Sequence, residues 1–174
     1  MRTLYLRIAA SAAVVASFFH PSLTTPVAAR EFVAFNGNAS QGTIVVLTNE
    51  RKLYLVLGDG RALRYTVGVG RAGRQWAGRA FIDGKHIKPA WSPPADIRRD
   101  KPNLPSVIPG GSPENPMGAA ALTLSGGGEY AIHGTNAPGS IGGFVSYGCI
   151  RMYNQDIVDL YGRVSVGTPV VVTR

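Results

Sequence analysis

Cysteine is nearly missing from this sequence: Cys149 is the only one in 174 residues. An internal disulfide is therefore excluded, and the thiol is buried and inert, an intermolecular link, or reactive. With only three histidines beside it, the chain has too few ligands for a structural zinc site, and no cofactor is expected. No apolar run reaches the roughly 20 residues that span a bilayer as a helix. Acidic residues are scarce, 10 against 18 Lys and Arg, which leaves a net charge of +8. Apart from Arg2 and Arg7, the basic residues are scattered, as at Arg51, Arg71, Arg79, Arg98 and Arg163. No dense basic helix and no basic strand interleaved with aromatics occurs, so nucleic acid is not the expected partner. A solvated basic surface, or attraction to an anionic polymer or acidic substrate, remains.

What is abundant is Gly, at 22, with 12 Pro. A chain of this length rich in Gly, Val and turn residues reads as one mainly β domain with a core that needs no disulfide. The N-terminus reads as an export signal over residues 1–29. Arg2 and Arg7 form its positive end, residues 8–19 an uncharged apolar run, and Val27-Ala28-Ala29 a small-residue cleavage site. A lipoprotein is excluded, because the only cysteine lies far from that site. A retained anchor is the alternative. Cleavage after Ala29 predicts a secreted protein of the periplasm or cell wall, with no stable membrane span. Residues 30–42 read as an irregular N-terminal segment and 43–174 as the folded domain.

Strands are expected at residues 43–47, 53–57, 62–69, 80–82, 120–124, 130–132 and 169–173, from β-branched runs separated by turn residues. One helix is expected at 154–161, with Asn154 as its cap, Asp156 in its first turn, and Ile157, Leu160 and Tyr161 at helical spacing. Residues 83–118 hold eight of the twelve prolines and read as a long stiffened loop, of the kind used as a lid or binding wall.

Chemistry concentrates in Tyr130-Ala-Ile-His133-Gly134-Thr-Asn136 and Ser146-Tyr147-Gly148-Cys149-Ile-Arg151. A thiol at its ordinary pKa is only a few per cent thiolate at neutral pH, so a nucleophilic cysteine needs a neighbouring base. His133 is the candidate. His20 lies in the export signal and His86 in the Pro-rich stretch. Gly148 leaves room for a substrate carbonyl to approach the backbone, and the N–H groups of Tyr147, Gly148 and Cys149 are candidate oxyanion donors. A helix beginning just after Cys149 would add positive potential. The Gly134 carbonyl or the Asn136 side chain is expected to hold one ring nitrogen of His133. No Asp or Glu lies near enough in sequence to complete a triad.

The block His133-Gly134-Thr135 with Ser146-x-Gly148-Cys149-Ile150-Arg151 resembles the signature of the L,D-transpeptidase catalytic domain. The likeness extends to Leu53-Tyr54, Tyr65-Thr-Val-Gly-Val-Gly70, Trp91-Ser-Pro-Pro94, Asn115-Pro-Met-Gly118 and Gly167-Thr-Pro-Val-Val171, from residue 43 to the C-terminus. It implies a β-sandwich-like fold and Cys–His acyl transfer, with peptidoglycan stem peptides as donor and acceptor. The reaction would run at the L-centre of diaminopimelate with release of D-Ala. Arg151 is implicated near the active site, as loop support or as a carboxylate ligand. Ser146, Gly134 and Asn136 are expected to support the site. Two positions depart from the pattern: Tyr147 stands where many members have His, and Trp76-Ala77-Gly78 where many have Thr-Pro-x-Gly. Three other readings stay open: an L,D-carboxypeptidase trimming tetrapeptides, a sortase-like enzyme using Arg163, and a non-catalytic wall-binding module.

Overall fold

A computed structural model describes residues 30–126 and 129–174; the expected export signal lies outside the described residues. Alternating and continuous runs of Val, Ile, Leu and Tyr become strands β1 (Arg30–Ala34), β2 (Ile44–Leu47), β3 (Lys52–Gly58), β4 (Arg61–Thr66), β5 (Val69–Gly70) and β6 (Gly78–Ile87). Helix α1 (Ala95–Asp100) follows, then β7 (Ala120–Leu124), β8 (Ala131–His133), β9 (Phe144–Ser146), β10 (Ile150–Arg151), α2 (Asn154–Arg163) and β11 (Pro169–Thr173). Nine strands form one sheet in the order β1-β4-β3-β2-β11-β6-β7-β8-β10, while β5 and β9 pair separately.

Strand β6 joins the two halves. Its first residues pair with β11, and after a register shift between Ile82 and Gly84 the remainder pairs with β7. A bulge of this kind sharpens twist and lets one strand serve two layers. Side chains of both halves meet α2 in a single core that includes Ile44, Leu53, Tyr65, Ile82, Leu122, Ile132, Ile150, Ile157 and Leu160. Along β2 the period-two alternation sends Ile44 and Val46 into this core and Val45 into a smaller cluster on the other face, with Tyr54, Val56 and Ala62. The mainly β, sandwich-like architecture is as expected.

Four expectations change in detail. Residues 30–34 are not irregular but form β1, an edge strand paired antiparallel with β4. The run 62–69 breaks after Thr66, because Gly68 leaves the β3 pairing to bridge Arg151. The strand expected at 80–82 runs from Gly78 to Ile87, so the Pro-rich excursion begins only at Lys88. That excursion is not structureless either. It contains α1, a bridge between Trp91 and Ile108, and the buried Asn115, whose amide donates to the carbonyls of Pro89, Ile108 and Pro109. Proline cannot supply N–H groups for a ladder, so one side-chain amide gathers the loop's carbonyls instead.

Candidate active site

The site forms where β8 and β10 run parallel at one edge of the sheet, with Ile150 opposite Ile132 and Arg151 opposite His133. Ile132 and Ile150 point into the core. By alternation the other side of the pair carries Ala131, His133, Cys149 and Arg151, and all four line one cleft of about 910 Å³. Continuing the register by one residue sets Cys149 beside Ala131, so Cys149 and His133 are diagonal neighbours on the cleft side of the pair. The thiol lies 3.9 Å from the Glu129 carbonyl and, among the described residues, has no hydrogen bond to the imidazole.

His133 is almost fully buried, and its Nδ1 lies 2.7 Å from the Gly134 carbonyl. A carbonyl only accepts, so Nδ1 carries the proton and Nε2 keeps its lone pair. Burial, then the nearby Arg151 cation, lower the His133 pKa to about 4, against the opposing carbonyls of Gly134 and Pro116. Burial raises the Cys149 thiol above its ordinary value, against the Ala131 N–H and Arg151. The resting pair is therefore thiol and neutral imidazole. Of the two holders expected for His133, Gly134 is the one observed; the Asn136 amide donates instead to Pro113 at 3.2 Å.

The turn before Cys149 is shaped from within. Ser146 Oγ donates to the Cys149 carbonyl at 2.6 Å and accepts the Gly148 N–H at 3.0 Å. That bond takes Gly148 out of the expected set of oxyanion donors. Among the described residues the N–H groups of Tyr147 and Cys149 meet no protein acceptor. Gly148 is required for another reason than substrate approach: its φ is +127°, and a Cβ there would overlap the Tyr130 ring. Trp76 stacks on that ring, centroids 5.1 Å apart, and its indole N–H donates to the Gly148 carbonyl at 2.9 Å.

Helix α2 does not follow Cys149 directly. β10 and two further residues intervene, and Tyr153, not Asn154, occupies the cap position. Asn154 Oδ1 accepts the N–H groups of Ala119 and Thr135 at 3.0 Å each, and its amide donates to the Thr135 carbonyl. One side chain thereby ties the histidine loop to the end of the Pro-rich excursion. The sequence signal for this was ambiguous, since an Asn before a helical run reads as a cap.

Arg151 has no ion pair among the described residues, and its Nε is buried without a hydrogen-bond partner. Burial lowers its pKa from the ordinary arginine value. A desolvated cation facing a cleft has unmet demand for an anion. The opposite wall belongs to the excursion, from Trp91 to Arg98 with Pro116 and Met117. Among the described residues no set of three His, Cys, Asp or Glu side chains could hold a metal ion. Nor is any described helix long and apolar enough to cross a membrane.

This arrangement has clear counterparts. Residues 41–172 match the family model for the L,D-transpeptidase catalytic domain. The chain is 40% identical over 136 residues to the probable L,D-transpeptidase ErfK/SrfK of Escherichia coli, covering 73% of this chain and 42% of that protein. It is 51% identical over 63 residues to the putative L,D-transpeptidase YkuD of Bacillus subtilis, 36% of this chain and 38% of that protein. The chain thus spans less than half the length of these relatives. The solved catalytic domain of an L,D-transpeptidase from Enterococcus faecium superposes with a TM-score of 0.60 at 20% identity, over 79% of this chain and 100% of that one, which shows a shared fold. On the strength of the match over residues 41–172, the chain belongs to the L,D-transpeptidase catalytic domain family.

Proposed function

We propose that this protein is a peptidoglycan L,D-transpeptidase with Cys149 as nucleophile and His133 as general base. The observation that carries the reading is that both groups line the cleft-facing side of the β8–β10 pair, with His133 Nδ1 turned to the Gly134 carbonyl, which leaves Nε2 as the basic nitrogen. Nε2 takes the thiol proton as Sγ attacks the stem-peptide carbonyl at the L-centre of diaminopimelate. The N–H groups of Tyr147 and Cys149 receive the oxyanion. The imidazolium, stabilised by the Gly134 and Pro116 carbonyls, protonates the departing D-Ala amine and leaves a thioester. An acceptor amine then attacks that thioester, giving its proton to His133, which returns it to the sulfur. At rest the imidazole is uncharged throughout the neutral range, so Nε2 is in the form that accepts a proton.

Arg151 takes a donor carboxylate in this reading, satisfying its partnerless Nε. The excursion from Lys88 to Gly118 limits water and holds the acceptor, so transfer outruns hydrolysis. Residues 1–29 act as an export signal, placing the enzyme in the periplasm or cell wall. The Enterococcus faecium domain has been solved "acylated by ertapenem"; by the same chemistry a carbapenem acylates Cys149 here. The test is liquid chromatography with mass spectrometry of a disaccharide-tetrapeptide after incubation with the purified chain from Arg30. Cross-linked dimers with loss of D-Ala support transfer, and deletion around Pro102 to Pro109 shifts product toward free tripeptide. Tripeptide alone from the intact enzyme would make it an L,D-carboxypeptidase.

A further inference from the structure

The two departures from the family pattern, Tyr147 and Trp76, both bear on the turn at Gly148. The Trp76 indole N–H donates to the Gly148 carbonyl. Tyr147 faces the other way, toward α1 in the Pro-rich excursion, and its hydroxyl donates to Asp100 Oδ2 at 2.7 Å. Arg71 stacks on the Tyr147 ring, guanidinium carbon 4.0 Å from the centroid, and also reaches Asp100 at 2.9 Å. One helical turn earlier Asp96 pairs with Arg74, whose guanidinium lies 5.4 Å from the same ring. Arg71 and Arg74 sit on the β5–β6 connection, which is bonded to the catalytic turn through the Arg71 N–H and the Ser146 carbonyl at 2.9 Å.

We propose that Tyr147 is a positioning residue that couples the lid to the oxyanion donors: α1 docks through Asp100 onto Tyr147, and this contact fixes the peptide groups on either side of Gly148. The proposal rests on the functional reading above, in which the Tyr147 and Cys149 N–H groups receive the oxyanion. Its physical basis is economy of anchors. The Gly148 peptide is held by Ser146 and Trp76 from the domain body, whereas the Tyr147 side chain is shared, its ring under Arg71 and its hydroxyl on Asp100 of the lid. A lid that lifts takes Asp100 away, frees the Tyr147 hydroxyl and the Arg71 guanidinium that Asp100 also held, and loosens the turn that must present two N–H groups in fixed directions. A seated lid restores them. Binding of a substrate beneath α1 and assembly of the oxyanion site then become one event. The acidic face of α1 and the two arginines make the docking electrostatic, so it weakens with salt.

Two measurements test the coupling, the first of which needs no activity. Hydrogen exchange is compared in wild type, Tyr147→Phe, which keeps the ring under Arg71, and Asp100→Asn. Both variants should speed exchange in residues 95–100 and in 146–149 together, and about 1 M salt should do the same to wild type. Faster exchange confined to 95–100 would overturn the proposal. The second measurement is the rate of Cys149 acylation by a carbapenem. Each single variant should lower the limiting rate constant about fivefold, the size of one hydrogen bond to a charged, half-exposed partner, at unchanged apparent affinity and melting temperature. The double variant should lose no more than the larger single loss, because both changes cut the Tyr147–Asp100 link and Asp100→Asn adds only the loss of its pairing with Arg71. A multiplicative loss of about 25-fold, or a loss lying wholly in affinity, contradicts the coupling. Absence of acylation in wild type would instead strike the functional reading, and the exchange result would still decide the coupling.

Discussion

Replacing Arg151 with Gln removes the cation that faces His133 and should raise the pH at which the imidazole gains its proton. In the wild type burial and Arg151, in that order, bring the His133 pKa from 6.5 to about 4. At 1.36 kcal/mol per unit this is about 3 kcal/mol of preference for the neutral ring. Burial survives the substitution, so the midpoint should move up toward 6.5 without reaching it. The consequence for stability has a definite sign. Between pH 4 and 6.5 the unfolded chain binds a proton that folded His133 refuses. This contribution to stability is fully present above 6.5 and is lost as the pH falls through about 4. The assay is a nitrogen-15 titration of the imidazole, paired with the pH profile of carbapenem acylation. The acid limb of that profile should lie near 4 in wild type and higher in Arg151→Gln. A wild-type midpoint near 6.5, or no upward movement in the variant, would refute the account of a buried neutral base.

Asn154→Ala leaves the Ala119 and Thr135 N–H groups and the Thr135 carbonyl without their partner, at a cost of about 2 kcal/mol; thermal unfolding should show it, with activity falling further than stability because the histidine loop loses its tie. Gly148→Ala meets both the +127° backbone and the Tyr130 ring, so it should abolish acylation and disturb the Trp76–Tyr130 stack, visible in near-ultraviolet circular dichroism. Asp156, buried and without a hydrogen-bond partner among the described residues, has its pKa raised from 3.8 to about 6 by burial. The charged form is the costly one, so its penalty appears as the pH rises through about 6 and vanishes below 4. Asp156→Asn should stabilise the fold at pH 8 and change little at pH 4; equal effects at both pH values would contradict this.

Much of the fold was legible because β-branched runs and Gly-rich turns alternate cleanly: 120–124 and 169–173 match their strands residue for residue. What escaped has a common cause. β1 is an exposed edge strand whose residues show little apolar alternation, and its pairing with β4 is a long-range matter. The extension of β6 into the Pro-rich stretch depends on β7, some 35 residues away in the chain. At the site, the His133 and Cys149 motifs stand out because Gly and small polar residues frame them. The supports do not, since Asn115, Asn154 and Trp76 act on backbone groups, and Tyr147 on the Asp100 carboxylate, that lie elsewhere in the sequence. Asn154 reads from the sequence as a helix cap, and only the position of Thr135 shows the bonds it makes instead. The Gly148 N–H illustrates the same limit: three consecutive amides suggest three donors, but the Ser146 hydroxyl two residues back already occupies one.

The most direct test of Cys149 as the nucleophile is intact-mass spectrometry of the enzyme, acid-quenched during turnover of a tetrapeptide donor, with peptide mapping of the adduct. The account predicts one adduct equal to the donor acyl group without its terminal D-Ala, carried on the peptide containing Cys149 and absent from Cys149→Ala. An adduct on another residue, or D-Ala release persisting within tenfold of wild type in Cys149→Ala, would contradict it.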